Sequence, residues 1–197
     1  AVGYRAGVNI TSGAQNTLLG QDAGRGLTVG NYNVAIGYEA LYTEDAGGFS
    51  IAIGRRALKL QNTTTNPYNI AIGYHAGESV TLGAQNTIIG GLAGDAITEG
   101  SYNIAIGYNA LTTLNTGADN VAIGINAGGA LTTGSNNVAI GNYALDNEDA
   151  HGKNVAIGYA ALTAQDAGAD AYNVAVGHEA GKLVSTGIRN TLIGGLS

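Results

Sequence analysis

The segment Asn120–Gly124 reads Asn-Val-Ala-Ile-Gly, and close copies of it recur throughout this chain of 197 residues. The glycines that close the copies are 17 residues apart, apart from two steps of 19. They are Gly3, Gly20, Gly37, Gly54, Gly73, Gly90, Gly107, Gly124, Gly141, Gly158, Gly177 and Gly194. Ala stands three residues after the first eleven of these motif glycines. A short fixed period of this kind indicates a solenoid in which each repeat forms one coil.

Alternation along the motif divides it into two faces. Val121 and Ile123 lie on one face of a short strand, and Asn120, Ala122 and Gly124 lie on the other. Neither face carries a charge, so both are expected to be covered. We predict that Val and Ile fill the interior of each coil and that the Ala and Gly face meets another chain. A second glycine ten residues after most motif glycines predicts a second turn, two or three short strands per coil and no helix.

The predicted fold is therefore an all-β parallel β-solenoid of about twelve coils, forming one repeat domain over residues 1–197. The two coils of 19 residues, at about 55–73 and 159–177, are expected to loop outward where the extra residues lie. The chain begins within a motif, has no Met and shows no polar cap at either end. We therefore expect it to be a segment of a longer fibre.

Two exchanges between large and small residues indicate a conserved core volume. The residue four after the motif glycine is either Leu, as at Leu111, or Gly, as at Gly128. Wherever it is Gly, the residue three positions further on is aliphatic, as at Leu131. This pattern predicts one core position that is filled from either of two backbone positions. In the second exchange the central Ala of the motif becomes large, at Leu18, Ile88 and Leu192, and the residue before it becomes Thr.

The composition excludes several classes of protein. Charged residues make up 11% of the chain, the net charge is −6, and Lys and Arg are not clustered, which argues against a nucleic-acid partner. No apolar run approaches the roughly 18 residues of a membrane span, so no membrane insertion is expected. The chain has no Cys, and hence no disulfide framework or thiolate metal site.

The segments 103–111 and 154–162, with the sequences NIAIGYNAL and NVAIGYAAL, resemble the head repeats of trimeric autotransporter adhesins. They are still more similar to related repeats in some bacteriophage tail fibres. The resemblance covers essentially the whole chain and implies a left-handed β-roll, a homotrimer and an extracellular place on a cell or virion surface. It leaves open whether the chain is a bacterial adhesin or a phage fibre.

A trimer would cover the small-residue face of the strands, where small side chains allow close approach. The sequence predicts a trimer interface formed by Ala35, Ala52, Ala71, Ala105, Ala122, Ala139 and Ala156, with Leu18, Ile88 and Leu192 filling gaps between the chains. The expected function is a structural or adhesive segment that attaches the fibre to a host-surface glycan or protein receptor. The alternatives are a purely structural shaft and a glycan-cleaving tail spike. An ice-binding solenoid would need a row of Thr-x-Thr, which the sequence lacks.

Stacked coils place equivalent residues about 4.8 Å apart, so surface positions form ladders along the fibre. Tyr38, Arg55 and Tyr74 follow three successive motif glycines, and Arg56 stands beside them. These four residues form a candidate patch for an anionic glycan through cation-π and charged contacts, and the alternative is a ladder that only fixes the coil register. A second row, Tyr32, Phe49, Tyr68, Tyr102 and Tyr172, is expected to pack at coil corners, and the Asn ladder to satisfy turn amides.

The sequence predicts no enzyme, cofactor or metal site. It contains no nucleophile elbow, phosphate loop or zinc motif. Carboxylates cluster at Glu44–Asp45, Glu148–Asp149 and Asp166–Asp170, but the calcium-binding nonapeptide pattern is absent, and solvated turns are the preferred interpretation. The three His residues occupy three different repeat positions.

Overall fold

A computed structural model describes residues 1–197 and shows an all-β parallel solenoid with coils of about 17 residues. One sheet contains all eleven strands in chain order, and every pair of neighbours is parallel. The strands are β1 Thr17–Leu19, β2 Val34–Ile36, β3 Ile51–Ile53, β4 Ile70–Ile72, β5 Thr87–Ile89, β6 Ile104–Ile106, β7 Val121–Ile123, β8 Val138–Ile140, β9 Val155–Ile157, β10 Val174–Val176 and β11 Thr191–Ile193. The chain contains no helix that could cross a membrane.

The coils repeat because equivalent residues stack directly on one another. In the ladder between β7 and β8, Val121 pairs with Val138 and Ala122 with Ala139. The motif glycine turns the chain out of each strand. Gly124 has φ +133°, and a Cβ there would come within 2.7 Å of the carbonyl oxygen of Gly141 in the next coil. This close approach of successive backbones explains why only glycine stands at this position.

The sequence prediction of twelve strands, and of two or three per coil, is wrong. The first motif makes only an isolated bridge between Val2 and Leu19, which leaves eleven strands in the sheet. Each coil has one strand of three residues, and turns and bends form the rest. Left-handed residues produce these turns, and many of them are not glycine, for example Leu111 at φ 51° and Tyr102 at φ 61°. The turns are held by hydrogen bonds between the backbones of successive coils, such as that from Leu111 N to Ala127 O.

The predicted orientation of the strands is reversed in the structure. The central Ala of each strand points into the coil, and Ala122 has no exposed surface. Val121 and Ile123 on either side are only half-buried, as are Ile106 and Ile140, which we expected to be fully buried. The physical reason is the narrow interior of a 17-residue coil. Large side chains such as Leu111 and Leu131 already reach it from the opposite wall, and only a methyl group fits opposite them.

The predicted exchange of core volume is confirmed. Leu111 and Leu131 are both completely buried. At Gly128, which replaces Leu at the first position, an added Cβ would meet the side chains of both Leu111 and Leu131 at 2.9 Å. Two backbone positions therefore serve the same region of the core.

The large residues at strand centres fill gaps within one chain. Leu18 lies between two coils that both have Gly at the exchangeable position, Gly7 and Gly24. An added Cβ at Gly7 or at Gly24 would collide with the Leu18 side chain, at 2.6 and 2.7 Å. Ile88 occupies the corresponding place between Gly77 and Gly94, at 2.9 and 3.4 Å. Two neighbouring coils that both lack the Leu thus leave room for one large side chain from the strand.

The predicted Asn ladder is confirmed as a structural element. Asn120 accepts a hydrogen bond at its Oδ1 from the backbone N–H of Asn137 at 3.0 Å, and its Nδ2 donates to Gly134 O at 2.8 Å. The same two bonds are made by Asn86 and by Asn103. Each buried side chain therefore satisfies backbone groups of the next coil.

The extra residues of the 19-residue coils leave the sheet register intact. Thr65 and Asn66 are exposed in the first of these coils, and Ala169 and Asp170 in the second, as the sequence predicts. The strand that follows still pairs in register, with Ile51 opposite Ile70.

Candidate functional site

The residues predicted to form the trimer interface lie inside the chain. Ala35, Ala52, Ala71, Ala105, Ala122, Ala139 and Ala156 have at most 1% of their surface exposed, and Leu18 and Ile88 at most 3%. Leu192 is partly buried and packs against the same core. The seven Ala side chains, Leu18 and Ile88 therefore cannot contact a second chain, so the interface predicted from them is wrong. Leu18 and Ile88 fill the intrachain gaps described above, and Leu192 likewise packs inside the chain, 2.7 Å from a Cβ placed at Gly181.

The outward face of the sheet is the surface that remains open. Two ladders of mostly β-branched side chains run along it, one from each end position of the three-residue strands. We call this surface the aliphatic strip. It consists of Val34, Ile36, Ile51, Ile53, Ile70, Ile72, Thr87, Ile89, Ile104, Ile106, Val121, Ile123, Val138, Ile140, Val155, Ile157, Val174 and Val176, with Thr17, Leu19, Thr191 and Ile193 at its two ends. None of these residues is charged, and every one is half-buried or exposed.

The strip extends over the whole sheet. The eleven strands are separated by ten intervals of about 4.8 Å, so the strip is roughly 48 Å long. Contiguous apolar surfaces larger than a few hundred Å² are uncommon on monomers and mark sites of association. The strip is therefore a candidate surface for association.

Beside the strip, the predicted stack of Tyr and Arg residues is present. The Arg55 guanidinium carbon lies 5.7 Å from the ring centre of Tyr38 and 5.5 Å from that of Tyr74. Arg55 also donates to the Tyr74 hydroxyl at 3.3 Å, and it contacts His75 Nε2. No carboxylate forms an ion pair with Arg55. Its positive charge is therefore held in place by aromatic rings and remains available at the surface.

Arg56 does not share this property. Its Nε lies 3.0 Å from Glu39 Oε2, and its Nη1 lies 3.6 Å from Glu78 Oε1. Arg56 thus belongs to a charged ladder that joins neighbouring coils, as the pair of Arg5 and Asp22 at 2.9 Å does. The structure separates the predicted patch into a stack of Tyr38, Arg55 and Tyr74 and a neighbouring Arg whose charge is already paired.

The second aromatic row is continuous only in part. Phe49 stacks on Tyr32 with ring centres 4.7 Å apart and on Tyr68 with ring centres 5.2 Å apart. Tyr102 has no aromatic neighbour within the row, and Tyr172 instead lies under the Lys153 ammonium at 5.1 Å. These residues occupy left-handed corner positions, with φ between 53° and 61°. This placement agrees with the corner packing expected from the sequence.

The structure joins two of the acidic clusters that the sequence analysis treated separately and adds a histidine to them. Glu148, Asp149, His151 and Asp166 each place one ligand-type atom within 4.8 Å of the others. A signal for this group does exist, because residues one repeat apart become neighbours and Asp149 and Asp166 are 17 residues apart. Searching for ligand pairs at the repeat spacing, rather than for contiguous motifs, would have found them.

The largest concavity in the structure, about 580 Å³, lies at the last coil and is lined partly by the core residues Val184 and Leu192. None of the predicted patch residues lines it.

Searches against protein-family models, curated protein sequences and solved structures found no match for this chain.

Proposed function

We propose that the chain is a structural and adhesive segment of an extracellular homotrimeric fibre, and that the aliphatic strip is its interchain interface. The observation that carries the proposal is the strip itself, an uncharged surface that runs along all eleven strands of the sheet. Packing three such strips about a common axis would remove them from water along the full length of the rod. The number three and the extracellular setting rest on the resemblance of the repeats to trimeric adhesins and tail fibres.

Sedimentation at micromolar concentration tests the assembly. We expect the wild-type chain to sediment as a trimer and the double variant I106K/I123K, with two charges at the centre of the strip, to sediment as a folded monomer. Both side chains point outward, so the substitutions leave the coil interior intact. The matched control is T116K, which adds a charge at an exposed turn residue. A monomeric wild-type chain, or a double variant with unchanged mass, would refute the proposed interface.

Adhesion through the Tyr–Arg stack is tested separately. We propose that an acidic glycan contacts Arg55 between Tyr38 and Tyr74, because this charge has no carboxylate partner. On an array of acidic and neutral glycans, Arg55→Ala is expected to abolish binding. Arg56→Ala should change it little, since Arg56 is already paired with Glu39 and Glu78. Binding that Arg55→Ala leaves unchanged would exclude the stack as the binding site, and absence of glycan binding by the wild type would leave a purely structural shaft as the proposed role.

The glycan-cleaving alternative gains no support from the group of carboxylates around Glu148. Hydrolysis of a glycoside needs two carboxyl groups that reach the scissile bond. Glu148 has no exposed surface and therefore cannot contact a bound glycan, and the exposed Asp149 and Asp166 line neither of the two concavities of the structure. We propose no catalytic role for this group.

A further inference from the structure

The group of Glu148, Asp149, His151 and Asp166 lies where the turn of one coil stacks on the turn of the next. Each residue contributes one oxygen or nitrogen atom, and these four atoms lie within 4.8 Å of one another. Glu148 is buried, His151 is half-buried, and the two Asp residues are exposed. The group is contained in one chain, so it does not depend on the trimer proposed above.

Glu148 is a buried acid with an incomplete set of partners. Its side chain has no exposed surface, and its Oε2 makes no hydrogen bond. Its Oε1 accepts one long bond, of 3.3 Å, from the backbone N–H of His151. The His151 Nδ1 lies 3.4 Å from the same oxygen, but it is also buried without a hydrogen-bond partner. Burial raises the pKa of Glu148, and the Asp166 carboxylate adds to the rise, while His151 opposes it.

The chain contains a second glutamate at the same repeat position that is fully satisfied. Glu44 also has no exposed surface. It accepts hydrogen bonds from Gly47 N at 2.8 Å, from Gln61 Nε2 at 2.8 Å, and from both the backbone N–H and the hydroxyl of Thr63 at 3.1 and 3.2 Å. A buried glutamate in this fold is therefore compatible with a complete network.

The residues that complete the Glu44 network are replaced around Glu148. Thr63 is replaced by Ala167, which removes the hydroxyl donor, and Gln165, in the place of Gln61, donates to Ser185 O instead. Two potential ligands appear in the same exchange. His151 stands at the position of Gly47 and Asp166 at the position of Asn62.

The gain of His151 and the loss of the Thr hydroxyl are sterically linked. A Cβ added at Gly47 would collide with the Thr63 hydroxyl and with the Glu44 carboxylate, 2.8 Å from its Oε1, so a side chain at this position requires these groups to move or to be replaced. Beside His151, Ala167 replaces the Thr and removes the first of these obstacles. The replacements around Glu148 thus exchange a hydrogen-bond donor for a group that can bind a metal.

The excess of negative charge in the group favours binding of a cation. Three carboxylates meet one imidazole, and no Lys or Arg forms an ion pair with any of the three. The nearest basic residue along the chain, Lys153, is paired with Asp170 at 2.6 Å and lies close to Tyr172. Like charges at these separations disfavour one another unless a positive charge is present.

We propose that Glu148, Asp149, His151 and Asp166 bind one divalent transition-metal ion of the Zn²⁺ type. An imidazole combined with carboxylates suits Zn²⁺ better than Ca²⁺ or Mg²⁺, which take oxygen ligands. A tetrahedral site with bonds of about 2.1 Å has edges of about 3.4 Å. The present spacing of up to 4.8 Å requires only a modest closure, which the exposed Asp149 and Asp166 side chains can provide.

Calorimetric titration of the untagged, chelator-treated chain with ZnCl₂ tests this proposal. We expect one Zn²⁺ per chain, with Ca²⁺ and Mg²⁺ unable to compete at equal concentration. The variants E148Q, H151G and D166N should each weaken binding by about tenfold or more. H151G and D166N introduce the residues of the Glu44 region, so they keep the test decisive even if E148Q does not fold. The matched control is N62D, which adds a carboxylate near Glu44 and should add no site.

Any one of three results would overturn the proposal. Absence of Zn²⁺ binding at micromolar concentration would refute it. Zn²⁺ binding that neither H151G nor D166N weakens would place the ion elsewhere and refute it as well. Equal affinity for Zn²⁺ and Ca²⁺, unchanged by H151G, would rule out the imidazole as a ligand and with it the proposed class of ion.

Discussion

The coils at 37–73 and those at 141–177 have the same construction, yet the buried glutamates at their equivalent positions have different hydrogen-bond partners. Each has a glutamate seven residues after a motif glycine and is followed by a 19-residue coil. Around Glu44 the next coil supplies Gln61 and Thr63 as donors, and the carboxylate is satisfied within the protein. Around Glu148 the next coil supplies Asp166 and Ala167, and one carboxylate oxygen has no partner. In a solenoid, then, the role of a side chain depends on the coil stacked against it.

The largest expected difference between the two regions comes from replacing the glutamates. Glu44→Gln should lower the free energy of unfolding by about 2 to 4 kcal/mol, because an amide would face donors that now bond a carboxylate. In chelator, Glu148→Gln should change it by less than about 1 kcal/mol, toward greater stability, because it removes a buried charge with few partners. Urea denaturation measures both changes.

Because repeat arrays can unfold in parts, amide hydrogen exchange of the neighbouring coils should accompany this measurement. Equal losses of stability for the two variants would show that the two glutamates are equivalent, and the comparison would fail.

A smaller effect is expected from converting the second region into the first. The triple variant H151G/D166N/A167T introduces the three residues found around Glu44. We expect it to raise the free energy of unfolding in chelator by about 1 to 2 kcal/mol, since the new hydroxyl can donate to the buried carboxylate. We also expect the triple variant to lose the rise in melting temperature that Zn²⁺ produces in the wild-type chain. Lower stability in chelator would mean that the further difference between the two networks, Asn154 in the place of Ser50, outweighs these three positions.

The smallest effects are expected at the exposed member of each region. Without metal, Asn62→Asp and Asp166→Asn should each change the free energy of unfolding by less than about 0.5 kcal/mol, because both residues lie at the surface. The signs should be opposite, since the first substitution adds a carboxylate near Glu44 and the second removes one near Glu148. Thermal denaturation of the two variants in chelator measures the difference. A change above 1 kcal/mol for either would show that the surface residue is tightly coupled to the buried one.

The Tyr–Arg stack shows how far the sequence could predict a candidate site. Tyr38, Arg55 and Tyr74 follow motif glycines of successive coils, so the repeat places them side by side and the sequence predicts their contact. The same spacing places Glu39 and Arg56 two residues after successive motif glycines, so the sequence also predicts that these opposite charges pair, and the structure confirms it at 3.0 Å. The spacing does not predict the second partner of Arg56, Glu78, which stands at another repeat position.

The acidic clusters at Glu148–Asp149 and Asp166–Asp170 are visible in the sequence, but their meeting with His151 was not predicted. Its residues come from two coils, and neither coil contains a ligand motif by itself. The unpartnered Glu148 oxygen becomes visible only when burial and hydrogen bonds are known.

The sequence by itself determined the repeat, the parallel stacking, the glycine turns and the Asn ladder. It also determined that one core position is filled by Leu111 in one coil and by Leu131 in the next, where Gly128 replaces the Leu. These features follow from spacing, because every coil must present the same group at the same height. Only the tertiary structure decided which face of the strand is the interior. Alternation defines two faces but does not label them, and both faces of this strand are uncharged. Packing inside the coil makes this choice: Ala122 belongs to one buried cluster with Leu111 and Leu131, whereas Ile123 remains half-buried on the outer face.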